Sequence, residues 1–367
     1  LPPLRWRELL DPLSDSKTMK PIVRVPARRW DGLYSVRLML EVNGIRYPGQ
    51  FLIDPSAPVS RVSQEWLTAQ GLNPLFHDMK KGKRLSLQKV IMGDQEIALQ
   101  DVEFGAVPQF HSPKFASDCC EGVLGLDFIK QYVVEFSSEY PISHITLWPV
   151  QGFHWSVESK WLELSLNSRG ELISHCEPHQ SQNAPSQIRW MPGHSGGLFI
   201  HQPYSGAIQK LKSSALNLMC DGEVLLRGQF PIQLEPAFPS SVPGMTLGMK
   251  WLGFDRFVLD LPHGRIWLSK RLLDASLPLN RSGLTLSYAM KEGERVLKVD
   301  QLIPNSQTKD LQSKGLKPGT VITEINKREA SSIDHWEVDQ ILSGLRGQTV
   351  ILKWRNGKED VIAPLTL

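Results

Sequence analysis

The chain has 367 residues, of which 41% are hydrophobic and 22% are charged, and its formal net charge at pH 7 is +3. This composition is typical of a globular protein with a sizeable core, and it excludes fibrous and intrinsically disordered classes. The small charge argues against a nucleic-acid partner, and no apolar run approaches the ~20 residues of a membrane-spanning helix, so we expect no integral membrane segment.

The first half of the chain is predicted to be rich in strands. Residues 1–20 are proline-rich and are predicted to form an N-terminal arm. Apolar alternation then begins near Val23, and Asn43-Gly44 supplies the positive φ angles of a two-residue hairpin turn. Ser63–Gly71 is predicted to be a short helix that Ser63 caps and Gly71 ends. Strands are predicted over Leu85–Met92 and Glu96–Phe104.

One pair of segments occurs twice along the chain. Phe51–Ala57 is an apolar strand that delivers Asp54 into a small-residue turn, and Gly122–Ile129 is an apolar turn that opens a helix. The pair recurs as Ile188–Gly196 and Met245–Leu252, with a methionine, Met191, in place of the aspartate. A repeat of roughly 130 residues is a duplicated domain and not a solenoid unit. The sequence therefore predicts two β lobes, residues 21–150 and 151–281.

The second half repeats the order of the first half more loosely. A strand is predicted over Trp161–Leu166, another over Leu198–Ile200, and a hairpin within Gly222–Leu234. The strands Phe257–Leu261 and Arg265–Leu268 are expected to close the lobe.

The cysteines and histidines give little sign of a cofactor. Cys119 and Cys120 are adjacent, a spacing that rarely forms a disulfide, whereas the sequence leaves open whether Cys176 and Cys220 pair. His175-Cys176 and His179 form a compact group that has no fourth ligand nearby, so an exposed loop is favoured over zinc. With no nucleotide-binding motif either, we expect neither a metal nor another cofactor.

The repeated segments resemble the pepsin and retropepsin family of aspartic peptidases. In that family a D-T-G-A turn displays the catalytic aspartate of each lobe, and a later apolar L-G turn packs beneath it. The resemblance spans roughly residues 20 to 275. It implies that Asp54 is the catalytic aspartate of the first lobe, with Pro55 and Ser56 in place of threonine and glycine. In the second lobe, Met191 and Pro192 replace aspartate and threonine.

The chemistry of this family requires two carboxyl groups that share one proton. A thioether neither holds nor delivers a proton at neutral pH, so the Met191 position cannot supply the second acid. We therefore expect a catalytically inactive protein that binds peptide or protein segments. Two alternatives stay open: an active aspartic endopeptidase that uses Asp54, for example as a dimer, and a structural assembly subunit. Asp54-Pro55 is also compatible with an ordinary turn.

A second motif, Gly193–Gly197, resembles the G-D-S-G-G turn of trypsin-like proteases. That chemistry needs a histidine base, which trypsin-like chains present upstream in a small-residue context. The upstream histidines here have no such setting, so a glycine-rich turn is favoured.

The C-terminal part, residues 282–367, closely resembles a PDZ domain. Gly315–Asn326 matches the family's G-L-K-x-G-D-x-I-x-x-V-N signature, with Thr320 in place of aspartate. PDZ domains bind a peptide strand along their sheet. The resemblance implies a peptide-binding strand formed by Val296, Leu297, Lys298 and Val299.

A helix capped by Ser332 is predicted to follow the PDZ signature. Its apolar stripe is Ile333, Trp336, Ile341 and Leu345, and Trp336 is a further candidate for peptide binding. Lys291–Glu294 stands where the family has its carboxylate-binding loop, so an internal strand or another subunit remains open as the ligand. The two resemblances together favour a bacterial periplasmic or cell-envelope protein with a protein or peptide partner, and they are compatible with an oligomer.

Overall fold

The computed structural model describes most of the chain. The described residues are 19–30, 33–72, 77–79, 82–87, 89–100, 102–107, 120–137, 143–155, 161–178, 187–191, 198–201, 216–221, 223–228, 232–235, 244–248, 256–268, 282–302, 306–333, 335–342, 344, 347–357 and 359–367. The predicted N-terminal arm lies outside them except for its last two residues.

The first lobe, as far as it is described, consists of strands and two short helices. Its strands are β1 (Val23–Trp30), β2 (Leu33–Val42), β3 (Ile45–Ile53), β4 (Arg61–Ser63), β5 (His77–Met79), β6 (Gly82–Ser86), β7 (Lys89–Met92), β8 (Gln95–Ala98), β9 (Glu103–Val107), β10 (Gly122–Leu124), β11 (Val133–Ser137) and β12 (Ser143–Trp148). Its helices are α1 (Gln64–Ala69) and α2 (Leu126–Ile129).

The rest of the chain forms the second lobe and a C-terminal region, which we define as residues 282–367. The strands of the second lobe are β13 (Leu162–Glu163), β14 (Ser165–Leu166), β15 (Leu172–Pro178), β16 (Gln187–Met191), β17 (Leu198–His201), β18 (Leu216–Cys220), β19 (Glu223–Gly228), β20 (Ile232–Glu235), β21 (Met245–Gly248), β22 (Arg256–Asp260) and β23 (Arg265–Leu268). The C-terminal region contains β24 (Leu284–Lys291), β25 (Glu294–Leu302), α3 (Ser306–Ser313), β26 (Val321–Ile325), β27 (Arg328–Glu329), α4 (His335–Leu342), β28 (Thr349–Asn356) and β29 (Glu359–Thr366). The prediction of a mainly β chain with two lobes is confirmed.

Two local predictions in the first lobe are also confirmed. Asn43 and Gly44 have φ angles of 51° and 77°, as the tight turn between β2 and β3 requires. Ser63 caps α1, since its Oγ accepts a hydrogen bond of 3.3 Å from the Trp66 backbone N–H.

The strands predicted over Leu85–Met92 and Glu96–Phe104 are each divided in two. Leu85 on β6 pairs with Phe104 on β9, whereas Met92 on β7 pairs with Leu38 on β2. Each predicted strand therefore changes partner near its middle, and the apolar pattern along the sequence does not record that change.

Two predictions in the second lobe need similar correction. Within Trp161–Leu166, β13 pairs with β23 and β14 pairs with β15, so this segment passes from one sheet to another. The hairpin predicted within Gly222–Leu234 is formed instead by β18 and β19, which meet at Asp221. β20 belongs elsewhere because it runs parallel to β17.

Both lobes share one strand connectivity around the repeated segments. In the first lobe β3 runs parallel to β10, which is antiparallel to β4, and β4 runs parallel to β9. In the second lobe β16 runs parallel to β21, which is antiparallel to β17, and β17 runs parallel to β20. The repeat predicted from the sequence is therefore a repeat of topology.

The lobes meet in one continuous sheet, which contains the twelve described strands of the first lobe and three strands of the second lobe, β13, β22 and β23. Around the junction the strand order is β13-β23-β22-β11-β12-β1-β2, and the antiparallel pair β11–β22 joins the two lobes. Across this junction the rings of Phe136 and Phe257 stack with their centroids 4.4 Å apart. Glu135 and Arg256 form a buried ion pair of 3.0 Å at the same place.

The C-terminal region forms a separate sheet with the order β24-β25-β26-β28-β29, and β27 pairs with β26. Ser332 does not cap α4, contrary to prediction. It ends a 3-10 turn, Ala330–Ser332, and its hydroxyl donates to the Glu329 carbonyl at 2.8 Å. In the described part of the chain, no helix combines the length and the apolar character that crossing a membrane requires.

Candidate functional site

Asp54 lies in a turn directly after β3. Its backbone N–H donates to the Leu124 carbonyl on β10 at 3.0 Å, and the Ala57 N–H closes the turn on the Asp54 carbonyl at 3.1 Å. The Ser56 N–H and hydroxyl both donate to Oδ1 of Asp54, at 2.8 and 2.5 Å. The half-buried carboxyl group is therefore bound to its own turn through one oxygen.

Burial raises the pKa of the Asp54 carboxyl group, because desolvation penalises its charged form. The hydrogen bonds from Ser56 and Ala57 and the positive charge of Arg61 oppose this effect, but they do not cancel it. Asp54 thus keeps its proton to a higher pH than an aspartate in water does.

A second aspartate, Asp127 on α2, binds Ser60, which follows the Asp54 turn along the chain. Its carboxylate accepts hydrogen bonds from the Ser60 N–H at 2.9 Å and from the Ser60 hydroxyl at 2.7 Å. The same Ser60 oxygen accepts from the Gly125 N–H at 3.0 Å. Sequence reasoning did not assign a role to Ser60 or Asp127, although an acid in the first turn of α2 is a recognisable signal.

Gly125 allows the two turns to approach each other closely. A Cβ atom at this position would lie 2.7 Å from the Ala57 carbonyl oxygen and 2.8 Å from that of Val59. The Leu126 N–H uses this approach to donate to the Ala57 carbonyl at 2.7 Å. The glycine of the repeated apolar turn is therefore required by the packing beneath Asp54.

The second lobe places Met191 where the first lobe has Asp54. Ile53 pairs with Leu124 in the parallel ladder, so Asp54 stands one step further on, beside Gly125. Met191 pairs with Gly248 in the corresponding ladder. The Met191 side chain and the predicted turn 192–197 lie outside the described residues.

The strand before Met191 is fixed by polar contacts that the sequence did not predict. Arg189 forms an ion pair of 2.7 Å with Glu171 and donates to the Thr246 hydroxyl at 3.2 Å. The buried Trp190 donates from its indole N–H to the Ser174 hydroxyl at 2.8 Å. Burial would raise the pKa of Glu171, but hydrogen bonds from Asn167 and Arg189 hold it below its usual value.

Of the residues predicted to bind peptide, Val296, Leu297, Lys298 and Val299 lie on β25, inside the C-terminal sheet, and Trp336 lies on α4. This strand pairs with β24 along its length, and Leu297 and Lys298 also pair with Ile322 and Val321 on β26. The backbone of Leu297 and Lys298 is thus engaged on both sides. Val299 likewise bonds β24 and the turn before β26, where its N–H donates to the Thr320 carbonyl at 2.9 Å.

Val296 and Leu297 line a cleft of about 780 Å³ between β25 and the β26–β27 hairpin. Its other lining residues are Glu294, Arg295, Val321, Ile322, Thr323, Glu324, Lys327, Glu329 and Ser331. Lys298 and Val299 are not among them, and the Trp336 side chain lies outside the described residues.

Cys176 is not available as a metal ligand because it forms a disulfide with Cys220, across the β15–β18 pair. Cys120 is also disulfide-bonded, and its partner lies outside the described residues, as does His179. Where side chains are described, no three His, Cys, Asp or Glu residues come together as a metal site would require.

The chain is thus a two-lobed β protein with an aspartate turn in one lobe and a methionine at the same place in the other. No protein-family model matches the chain, and no curated protein matches it. Among solved structures, soybean basic 7S globulin is similar at 13% identity and a TM-score of 0.47, covering 69% of this chain and 97% of the globulin.

An aspartic proteinase from Irpex lacteus is similar at 10% identity and a TM-score of 0.47, with 69% of this chain and 99% of the proteinase covered. Conglutin gamma, a basic 7S globulin from lupine seeds, is similar at 10% identity and a TM-score of 0.44, with 67% and 94% covered. At these identities the resemblance concerns the fold alone.

Proposed function

We propose that the chain is an aspartic-peptidase-like protein without hydrolytic activity, which binds peptide or protein segments. The main support is the register of the two parallel ladders, which gives Asp54 and Met191 equivalent positions. Acid–base hydrolysis on this scaffold needs a carboxyl group from each lobe, and a methionine provides none. Asp54 acts here as the anchor of its turn, since both Ser56 donors bind it.

We further propose that the C-terminal region is a PDZ-type module whose cleft at Val296 and Leu297 holds part of the bound segment. Val296 and Leu297 of β25 line this cleft together with Val321 to Glu324 of β26. PDZ domains bind an extended peptide along their sheet, and this cleft offers such a peptide both apolar and charged side chains. The interlobe cleft above Asp54 would hold a second segment.

The proposed setting is the periplasm or the cell envelope. The Cys176–Cys220 disulfide is consistent with an oxidising compartment. Fractionation of producing cells, followed by thiol labelling without reductant, tests this location. A reduced protein found in the cytosol would contradict it.

Peptide binding is tested with a random peptide library and the full-length protein, followed by titration of the selected peptides. Val296→Asp is expected to weaken cleft binding about tenfold or more, because it removes an apolar contact and adds a negative charge to the cleft lining. Ile362→Asp is the matched control, since Ile362 is exposed on β29 and is not part of the cleft.

Asp54→Asn probes the interlobe cleft in the same titrations. Binding that is unaffected by both Val296→Asp and Asp54→Asn, or a library without any binder, would contradict the proposed function.

A further inference from the structure

The last residues of β3, which lead into the Asp54 turn, and the neighbouring strand β10 are buried on both faces. On β3, Phe51 and Ile53 belong to the core of the lobes, whereas Leu52, which is 4% exposed, belongs to the core of the C-terminal region. On β10, Leu124 faces the first core and Val123, which is 2% exposed, faces the second. Leu52 and Val123 are direct partners in the ladder, so they form one apolar patch beneath the C-terminal region.

Other residues of the first lobe extend this contact. Leu33 at the start of β2 and Cys120 before β10 are buried in the same cluster as Leu297, Ile322 and Val338 of the C-terminal region. Helix α4 also packs against β1. The C-terminal region is therefore docked on the outer face of the sheet that presents Asp54.

Ala57 connects this docking surface to the Asp54 turn itself. It packs against the cluster that Leu52 and Val123 share with the C-terminal region, its N–H closes the turn on the Asp54 carbonyl, and its own carbonyl accepts from the Leu126 N–H. A single residue thus packs on the shared cluster and completes the hydrogen bonds on both sides of the turn.

We propose that the C-terminal region regulates the Asp54 turn by docking on Leu52 and Val123, in the cluster against which Ala57 packs. While the C-terminal region is docked, the hydrogen bonds of Ala57 with Asp54 and Leu126 hold the turn in place. When the C-terminal region is released, these hydrogen bonds open more often. The proposed regulation acts on the same site as the proposed function, and only its biological purpose depends on that function. Its tests measure motion, so their failure is distinct from a failure to bind peptide.

The first test is hydrogen exchange of the full-length protein in rising urea, without any substitution. The reporters are the N–H groups of Asp54, Ala57 and Leu126 for the turn, and those of α4 for the C-terminal region. Coupled docking predicts that both sets lose protection at the same urea concentration, as one cooperative unit. Release of α4 at lower urea, with the turn still fully protected, would overturn the proposal.

The second test compares two valine-to-threonine variants. Val123→Thr places a hydroxyl group in the docking surface, and Val90→Thr places one in the core of the first lobe, where Val90 is fully buried. Val123→Thr is expected to speed exchange of the turn and of α4 by about tenfold or more in native buffer. Val90→Thr should leave unchanged the ratio of the exchange rates of the turn and of α4 to those of the other N–H groups in the first lobe. Faster exchange of α4 alone in Val123→Thr would contradict the proposal.

Discussion

At the scale of single residues, the Asp54 carboxyl group has a pKa that burial raises above its unfolded value. The folded state then binds this proton more tightly than the unfolded state, so the contribution of Asp54 to stability is full below its unfolded pKa. It is lost as the pH rises through the folded pKa. The ionised Asp54 carboxylate therefore lowers the free energy of unfolding at neutral pH.

Asp54→Asn is therefore expected to be more stable than the wild type at neutral pH, with an advantage that shrinks toward about pH 4. Asparagine keeps an acceptor oxygen for the two Ser56 donors, so the turn itself is preserved. Urea unfolding across this pH range measures the effect. Asp94→Asn, at an exposed turn, controls for the loss of one negative charge. A stability advantage of Asp54→Asn that grows as the pH falls would contradict the raised pKa of Asp54.

At the scale of elements, the contact between the Asp54 turn and the turn before α2 depends on Gly125. Gly125→Ala should lower the free energy of unfolding by about 3 kcal/mol, because its Cβ meets backbone atoms that cannot move aside easily. Gly105→Ala is the matched control on β9, where the nearest atom to a new Cβ is 3.9 Å away. Equal losses in the two variants, measured by urea unfolding, would refute this account of Gly125.

The elements also show what the sequence could and could not predict. Asn43-Gly44 and the Ser63 cap were predictable because each is determined by residues a few positions apart. The division of Leu85–Met92 was not, because both halves have strand character and only the distant partners Phe104 and Leu38 differ. The same limit applies at the site. Asp54 and Met191 follow from a sequence repeat, whereas Ser60 joins Asp127 from 67 positions away.

At the scale of the whole molecule, the lobes are joined by a sheet that contains a buried ion pair. The side chains of Glu135 and Arg256 are 6% and 8% exposed. Glu135→Gln removes the negative charge that is paired with the buried guanidinium group of Arg256. It should lower the free energy of unfolding by about 3 kcal/mol, because a buried charge then loses this partner. Glu337→Gln, at the exposed pair with Arg328, should change the free energy of unfolding far less, because solvent screens that pair. Urea unfolding of both variants tests this difference, and similar costs would contradict a structural role for the interlobe pair.

The proposal that Asp54 has no second acid as a partner is tested most directly by incubating the full-length protein with a mixed peptide library between about pH 3 and pH 7. Mass spectrometry then compares the products with those of Asp54→Asn. We predict the same low background from both proteins at every pH. Cleavage by the wild type that disappears in Asp54→Asn would contradict the account, because it would mean that a partner acid approaches Asp54 after all.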